Sequence, residues 1–229
     1  MRYALYFAPE RETALWRFGN GVLGGDPETG ESVPRIVPEG FAPEDWQSFT
    51  ASPRRYGFHA TLKPPFSLAE GRSEAELFEA VRSFAARRPA ITDRAVRPLR
   101  SGSYVLLGLS ERDAQVHDFA DVVVSEFDGF RAPASEAEIA RRRASGLSAR
   151  EAQNLDRWGY PYVFDTFAFH MSLAGPLPEM RADEVLASLT AQYDAAVEGE
   201  RLAIRSLSVF VEPAPGAPFR LALRAPLLG

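Results

Sequence analysis

Cysteine is absent from the 229 residues, histidine occurs three times, and no run of 18 apolar residues interrupts the chain. Without cysteine there are no disulfides, no thiolate metal sites and no thiol nucleophile, a usage that suits a reducing compartment. Without a long apolar run there is no candidate for a membrane-spanning helix. The opening stretch Met1 to Pro9 is apolar but too short for a secretory leader. These absences predict a cytoplasmic location and no membrane partner. Positive charge is also in short supply, since 26 basic residues against 31 acidic ones leave a net charge of −5. Such a surface repels a polyanion, which disfavours extended nucleic acid as a partner. A small phosphorylated ligand needs only a local basic cleft.

The remaining composition, 45% hydrophobic and 25% charged, is that of a folding globular chain. Alternation over residues 2–8 predicts a strand, and Pro9 with Glu10 opens a short helix to about Phe18. Glycines and prolines between residues 19 and 54 predict loop. Residues 56–63 read as a strand stopped by Pro64 and Pro65. Ser73 to Glu76 forms a capping box before a helix carrying Leu77, Val81 and Phe84 on one face. A strand is expected over 103–109, followed by a helix capped by Ser110 with Val116, Phe119, Val123 and Phe127 inward. Capping boxes at Ser135 to Glu138 and Ser148 to Glu151, separated by Gly146, mark an inserted helical hairpin at about 131–160. Strand character returns over 162–173, helix over 181–193, and a closing hairpin spans 202–211 and 219–223. Taken in order, these elements give an α+β chain, expected to form a single bilobed unit over 1–229.

The chemistry is concentrated in a repeat. Phe58-His59-Ala60-Thr61-Leu62-Lys63-Pro64-Pro65 superimposes without a gap on Phe169-His170-Met171-Ser172-Leu173-Ala174-Gly175-Pro176, matching at Phe, His, hydroxyl, Leu and Pro. Strand side chains alternate, so His59 and Thr61 share one face, about 7 Å apart at Cα, while Phe58, Ala60 and Leu62 turn to the core. His170 and Ser172 stand in the same relation in the second copy. Imidazole, with an ordinary pKa of roughly 6.5, serves as either base or acid near neutrality. Two histidines and two hydroxyls therefore supply the base, the acid and the donors to non-bridging oxygens that phosphoester cleavage needs. Period-two extension of the first strand adds Arg55 and Lys63 as local cations on the same face.

Paired His-x-Ser/Thr motifs of this kind resemble the two-histidine (2H) phosphoesterase superfamily. The stretch Arg54 to Phe66 is most similar to its branch of phosphonate-metabolism proteins associated with phosphonate-degradation gene clusters. The resemblance covers nearly the whole chain. It implies two pseudosymmetric antiparallel sheets flanked by helices around a central cleft, and hydrolysis of a cyclic phosphodiester. It further implies His59 as proton donor to the leaving oxygen, His170 as base, and Thr61 and Ser172 as phosphate ligands. No metal or cofactor is implied. The 111 positions between the histidines depart from compact members, and the inserted hairpin that accounts for them is expected to cover the cleft and favour a small substrate.

Other residues support plainer readings. His117 lies on an amphipathic helix between polar neighbours and is expected at the surface. Arg141 to Arg143 reads as a solvated helix face, with a basic lid as its functional alternative. The glycines at 19, 21, 24 and 25 lack the GK[ST] of a phosphate-cradling loop. A zinc site would need carboxylates, and Asp165 falls on the opposite strand face from His170. Trp16, Trp46 and Trp158 are candidates for base stacking or for core. Two rival functions use the same cleft: a non-catalytic binding module for a phosphorylated metabolite or RNA, and end-processing or ligation of RNA.

Overall fold

A computed structural model describes residues 1–229. The chain runs β1 (Arg2–Phe7), α1 (Ala14–Leu23), α2 (Pro43–Tyr56), β2 (Ala60–Phe66), α3 (Glu74–Ala85), β3 (Ile91–Arg94), β4 (Val96–Ser101) and β5 (Tyr104–Leu109). It continues through α4 (Ala114–Glu126), α5 (Glu136–Arg143), α6 (Ala149–Trp158), β6 (His170–Ala174), α7 (Glu179–Ala196), β7 (Leu202–Ile204), β8 (Ser206–Glu212) and β9 (Arg220–Pro226). This is the expected α+β class. One antiparallel sheet has the order β4-β5-β6-β2-β1-β8-β9, and a small second sheet pairs β3 with β7.

The strands that carry the two motifs, β2 and β6, are joined edge to edge in the large sheet. β2 and β6 meet through a single residue pair, Ala60 with Met171, whereas the other strands of this sheet pair over four to six register positions. The seam is narrow, and it lies inside the repeated motif. One face of the sheet is packed by helices: Leu5, Phe7, Ala60, Leu62, Met171 and Leu173 are buried with Leu77 and Val81 of α3 and Val116 and Val123 of α4. The opposite face carries a smaller cluster around Tyr6, Phe210 and Phe219.

Several helices start where their caps dictate. Ser73 and Ser148 form reciprocal capping boxes with Glu76 and Glu151. The cap of α4 is Asp113, not Ser110; its carboxylate accepts the Val116 N–H at 3.0 Å. α1 lies four residues later than expected, capped by Thr13 and closed by Gly24 in the left-handed conformation.

The largest departure is α2, which occupies a stretch expected to be loop. Pro43 sits at its first turn, followed by Glu44 and Asp45, and Trp46, Thr50 and Pro53 form its buried stripe. Pro53 inside the helix lacks the N–H that would bond to Phe49. The freed Phe49 carbonyl accepts the Gly175 N–H at 2.8 Å instead. A proline that argues against a helix in sequence thus creates the acceptor that ties α2 to the strand bearing the second motif.

Three further expectations are corrected. The strand containing the second histidine begins at His170, not near 162, because Asn154 and Thr166 bind the carbonyls of Pro161 and Val163 and hold that segment in a 3₁₀ turn. Strand β4, to which no element was assigned, carries Pro98 at the edge of the sheet, where a missing N–H costs no ladder bond. His117 is buried, with its ring nitrogens 2.7 and 3.1 Å from the carbonyls of Asp113 and Phe167, so it pegs α4 to the approach of β6.

Lys63, the chain's single lysine, is also displaced from its expected face. Tyr6 pairs with Thr61 but Leu5 pairs with Lys63, so β2 carries a bulge between those positions. One extra residue inverts the alternation. Lys63 therefore turns toward the helices, its ammonium 3.1 Å from the Val124 carbonyl and 3.2 Å from Asp128. Burial lowers its pKa to about 8 despite the Asp128 charge. A buried ion pair is replaceable by an apolar side chain more cheaply than it is broken. Lys63→Met is expected to leave stability unchanged or raise it by about 1 kcal/mol, while Asp128→Ala, which strands the ammonium, costs about 3 kcal/mol. Urea denaturation of the two variants checks this.

Candidate active site

The Ala60–Met171 pair sets His59 across from Ser172 and Thr61 across from His170, one step to either side of the seam. Ala60 and Met171 point to the helical face, so all four polar side chains emerge together on the other. His170 is exposed, and His59, Thr61 and Ser172 are half-buried. The two motifs, far apart in sequence, form one constellation around an antiparallel seam.

Each histidine is oriented in the same way. His59 Nδ1 donates to the Gly57 carbonyl at 2.9 Å, and His170 Nδ1 donates to the Ala168 carbonyl at 2.8 Å. A carbonyl only accepts, so Nδ1 carries the proton in both rings and each Nε2 is left for chemistry. Thr61 Oγ1 lies 3.1 Å from His59 Nε2 and donates to it when that ring is neutral.

The surroundings of the rings differ. Tyr6 stacks on His59 at 3.7 Å between centroids with 17° between planes, and Phe210 closes the same side at 5.9 Å. Burial, reinforced by the neighbouring His170, lowers the His59 pKa to about 4 against the opposing pull of the Gly57 carbonyl. His59 is therefore neutral at pH 7. Tyr6 is itself buried, its phenol held well above its ordinary range by desolvation, so it contributes a neutral platform. Nothing in the sequence marks out Tyr6: its aromatic character in an alternating strand is visible there, but the pairing of β1 beside β2 is not.

Arg55 is not on a strand beside His59. It lies in the last turn of α2, and its guanidinium, together with that of Arg2, grips the buried Glu212. Burial opposes ionisation of Glu212, but hydrogen bonds from Arg2, Arg55 and the Gly216 N–H prevail and bring its pKa to about 2. Lys63 is likewise removed from the site by the bulge. Of the six residues selected from the sequence, the structure brings together His59, Thr61, His170 and Ser172.

The helical hairpin α5–α6 stands on the side of the histidines. Glu138 on α5 acts electrostatically on Arg2, and Tyr160, just after α6, acts on Tyr6. Arg142 lies over the Tyr160 ring at 4.8 Å, while Arg143 pairs with Asp156 and Arg150 with Asp165. Trp16 and Trp46 are buried, Trp46 donating its indole N–H to the Val22 carbonyl at 3.2 Å, and Trp158 packs on Phe164. The tryptophans are packing residues. No helix is long and apolar enough to cross a membrane.

Fold and site together define an α+β protein with a paired histidine–hydroxyl centre at the middle of one antiparallel sheet. The chain belongs to the DUF1045 family, described as a protein of unknown function, whose pattern matches residues 61–220, more than half of the chain. It is 39% identical over its full length to a ribose 1,5-bisphosphate phosphokinase PhnN of Janthinobacterium sp. (strain Marseille). The chain spans about half the length of the curated relatives it matches. Among solved structures it is similar to TT0787 of Thermus thermophilus, at 12% identity and TM-score 0.48, covering 100% of this chain and 99% of the other. It is also similar to LigT of E. coli in complex with NADP+, at 12% identity and TM-score 0.41, covering 99% and 97%. With scores below 0.5, the functional reading rests on the motif pair and its geometry.

Two acid transitions are expected in stability. The folded protein holds His59 below its ordinary 6.5 and Glu212 below its ordinary 4.5, so the unfolded chain binds more protons in both windows. Stability therefore falls as pH drops from about 6.5 toward 4 and again from about 4.5 toward 2. Thermal melts from pH 7 to 3 should show both, with His59→Gln flattening the upper part and Glu212→Gln the lower. NMR titration of His59 is expected to move upward in His170→Gln, which removes one cause of its depression; an unchanged midpoint would show that the rings do not interact.

Proposed function

We propose that the protein hydrolyses a small cyclic phosphodiester, with His59 and His170 as the acid–base pair and Thr61 and Ser172 as donors to the non-bridging oxygens. The observation that carries this reading is the pairing of the motifs across the seam, with both Nδ1 protons fixed on carbonyls and both Nε2 atoms left for reaction. Two imidazoles in opposite protonation states complete the proton transfers of the reaction.

In the proposed reaction His59 Nε2 accepts a proton from water as its oxygen attacks phosphorus. The ring P–O bond breaks, and the departing oxygen takes a proton from His170 Nε2–H, giving a phosphomonoester and a free hydroxyl. The Thr61 hydroxyl, which donates to His59 in the free protein, turns to a phosphoryl oxygen and releases Nε2. This order of roles reverses the one implied by the superfamily resemblance. Burial of His59 under Tyr6 favours it, because a ring that is neutral at rest is suited to be the base, which leaves the acid role to the exposed His170.

The substrate class is a phosphorylated ribose. The longer relatives carry the name ribose 1,5-bisphosphate phosphokinase, and the motif resemblance points independently to phosphonate breakdown. The phosphokinase role in that name is not attributed to this chain, which contains no GK[ST] segment.

Phosphorus NMR of EDTA-treated protein with ribose 1,2-cyclic phosphate and a panel of 2′,3′-cyclic nucleotides tests the reading. Turnover is expected, with a bell-shaped pH profile, and either His59→Ala or His170→Ala should lower it by on the order of 10²- to 10⁴-fold. Full activity in either variant, or loss of activity on chelation, would sink the two-histidine mechanism. Tight binding of an uncleaved ligand would favour the binding-module alternative.

A further inference from the structure

A second basic site adjoins the histidine pair. Residues 24–35, the end of α2 and the β8–β9 turn enclose a hollow of about 420 Å³, within the usual range for small-molecule sites of about 300–1,000 Å³. Gly57, whose carbonyl orients His59, forms part of its wall, so the hollow begins directly behind the proposed base.

Three arginines converge on it without an ion-pair partner. Nearby guanidiniums are neutralised, Arg55 by Glu212 and Arg224 by Glu10 and Glu28. Arg35, Arg54 and Arg220 make no ion pair. Arg35 gives one nitrogen to Thr50 at 3.0 Å, and its other terminal nitrogen is buried without a partner. Arg54 reaches the Ser32 hydroxyl at 3.1 Å. Two carboxylates also face the hollow, Asp26, whose Oδ1 accepts the Glu28 and Thr29 N–H groups at 2.7 and 3.2 Å, and Glu31; with Arg55 paired to Glu212, three unpaired arginines outnumber them.

The loop is shaped to hold these side chains. A Cβ on Gly24 would stand 2.7 Å from the Arg35 guanidinium carbon and one on Gly25 3.3 Å from Arg54 Nε, while one on Gly30 would collide with Arg220. Gly24 and Gly30 also have positive φ, at 73° and 82°. Each glycine seats one guanidinium over bare backbone. Like charges are thereby held together, and the Arg54 charge helps depress the Arg35 pKa, after burial. An arrangement that concentrates unpaired guanidiniums in a hollow is stabilised by an anion with several acceptor oxygens.

We propose that Arg35, Arg54 and Arg220 form a phosphate-binding site for a small phosphorylated metabolite, separate from the histidine centre. The phosphate belongs either to the substrate, as a second group remote from the scissile ester, or to a distinct metabolite.

Isothermal titration calorimetry with pyrophosphate tests the site without reference to catalysis. Saturable binding is expected, weakened at least tenfold in Arg35→Gln and in Arg220→Gln but retained in His170→Ala. Arg220 is exposed, so its substitution leaves the fold intact even if that of the part-buried Arg35 does not. Absence of saturable binding, equal binding in the arginine variants, or loss only in His170→Ala would overturn the proposal. A kinetic arm, which rests on the proposed hydrolysis, separates the two sources. If the phosphate is the substrate's own, Arg220→Gln raises KM for 5′-phosphorylated adenosine 2′,3′-cyclic phosphate and not for the form lacking the 5′-phosphate. If it belongs to a distinct metabolite, KM is unchanged for both while pyrophosphate binding is lost. Failure of the cyclic ester to react would count against the hydrolysis alone.

Discussion

Everything that could react in this protein depends on the seam between β2 and β6. A half-sheet of three strands and one of four are joined there by the Ala60–Met171 pair, and the two histidine motifs lie immediately to either side. A junction this short would be weak by itself. It is reinforced from the helical face by buried Ala60, Leu62, Met171 and Leu173, and from the flank by the Gly175 N–H bonded to the Phe49 carbonyl of α2. α2 also leads directly into the first motif through Gly57, whose positive φ of 76° turns the chain from helix to strand. The same helix thus places one histidine by covalent connection and steadies the strand of the other by a hydrogen bond.

Sequence symmetry between the motifs does not become chemical symmetry. Both rings use Nδ1 on the carbonyl two residues earlier, so backbone geometry is repeated. Their solvent environments are not. His59 lies beneath Tyr6 and beside Phe210, whereas His170 is exposed. Desolvation disfavours the charged imidazole at His59, and this is the way one residue type can be divided into a base and an acid. β1, which carries no motif, makes the division through one aromatic side chain.

Charge is organised locally against the overall balance of the chain. The basic residues first associated with the site serve elsewhere: Lys63 faces Asp128 behind the sheet, and Arg55 closes over Glu212. The cations without an ion-pair partner are instead Arg35, Arg54 and Arg220, drawn from a loop, a helix end and the edge strand β9. A net charge of −5 says nothing of such a cluster, because it arises from segments nearly two hundred positions apart.

Residue order alone was enough for the α+β class, the boxed helix starts at Ser73 and Ser148, the helical hairpin near 131–160 and the repeated His-x-Ser/Thr pattern. These are local properties, set by alternation, helical period and capping within a few residues. Features that depend on distant partners came from tertiary packing. The bulge opposite Leu5 and Tyr6 reversed Lys63, since alternation predicts facing only while register is regular. Pro53 could sit inside α2 because β6 supplied a donor for the carbonyl it orphaned, which no propensity within the helix records. His117 became a buried peg because Phe167 presents a carbonyl 50 residues away. Tyr6 above His59, and three glycines each holding a distant arginine, are likewise contacts between segments whose spacing in sequence carries no periodic signal. Short-range geometry gave each histidine its neighbouring hydroxyl, and strand pairing brought the two together and made them different.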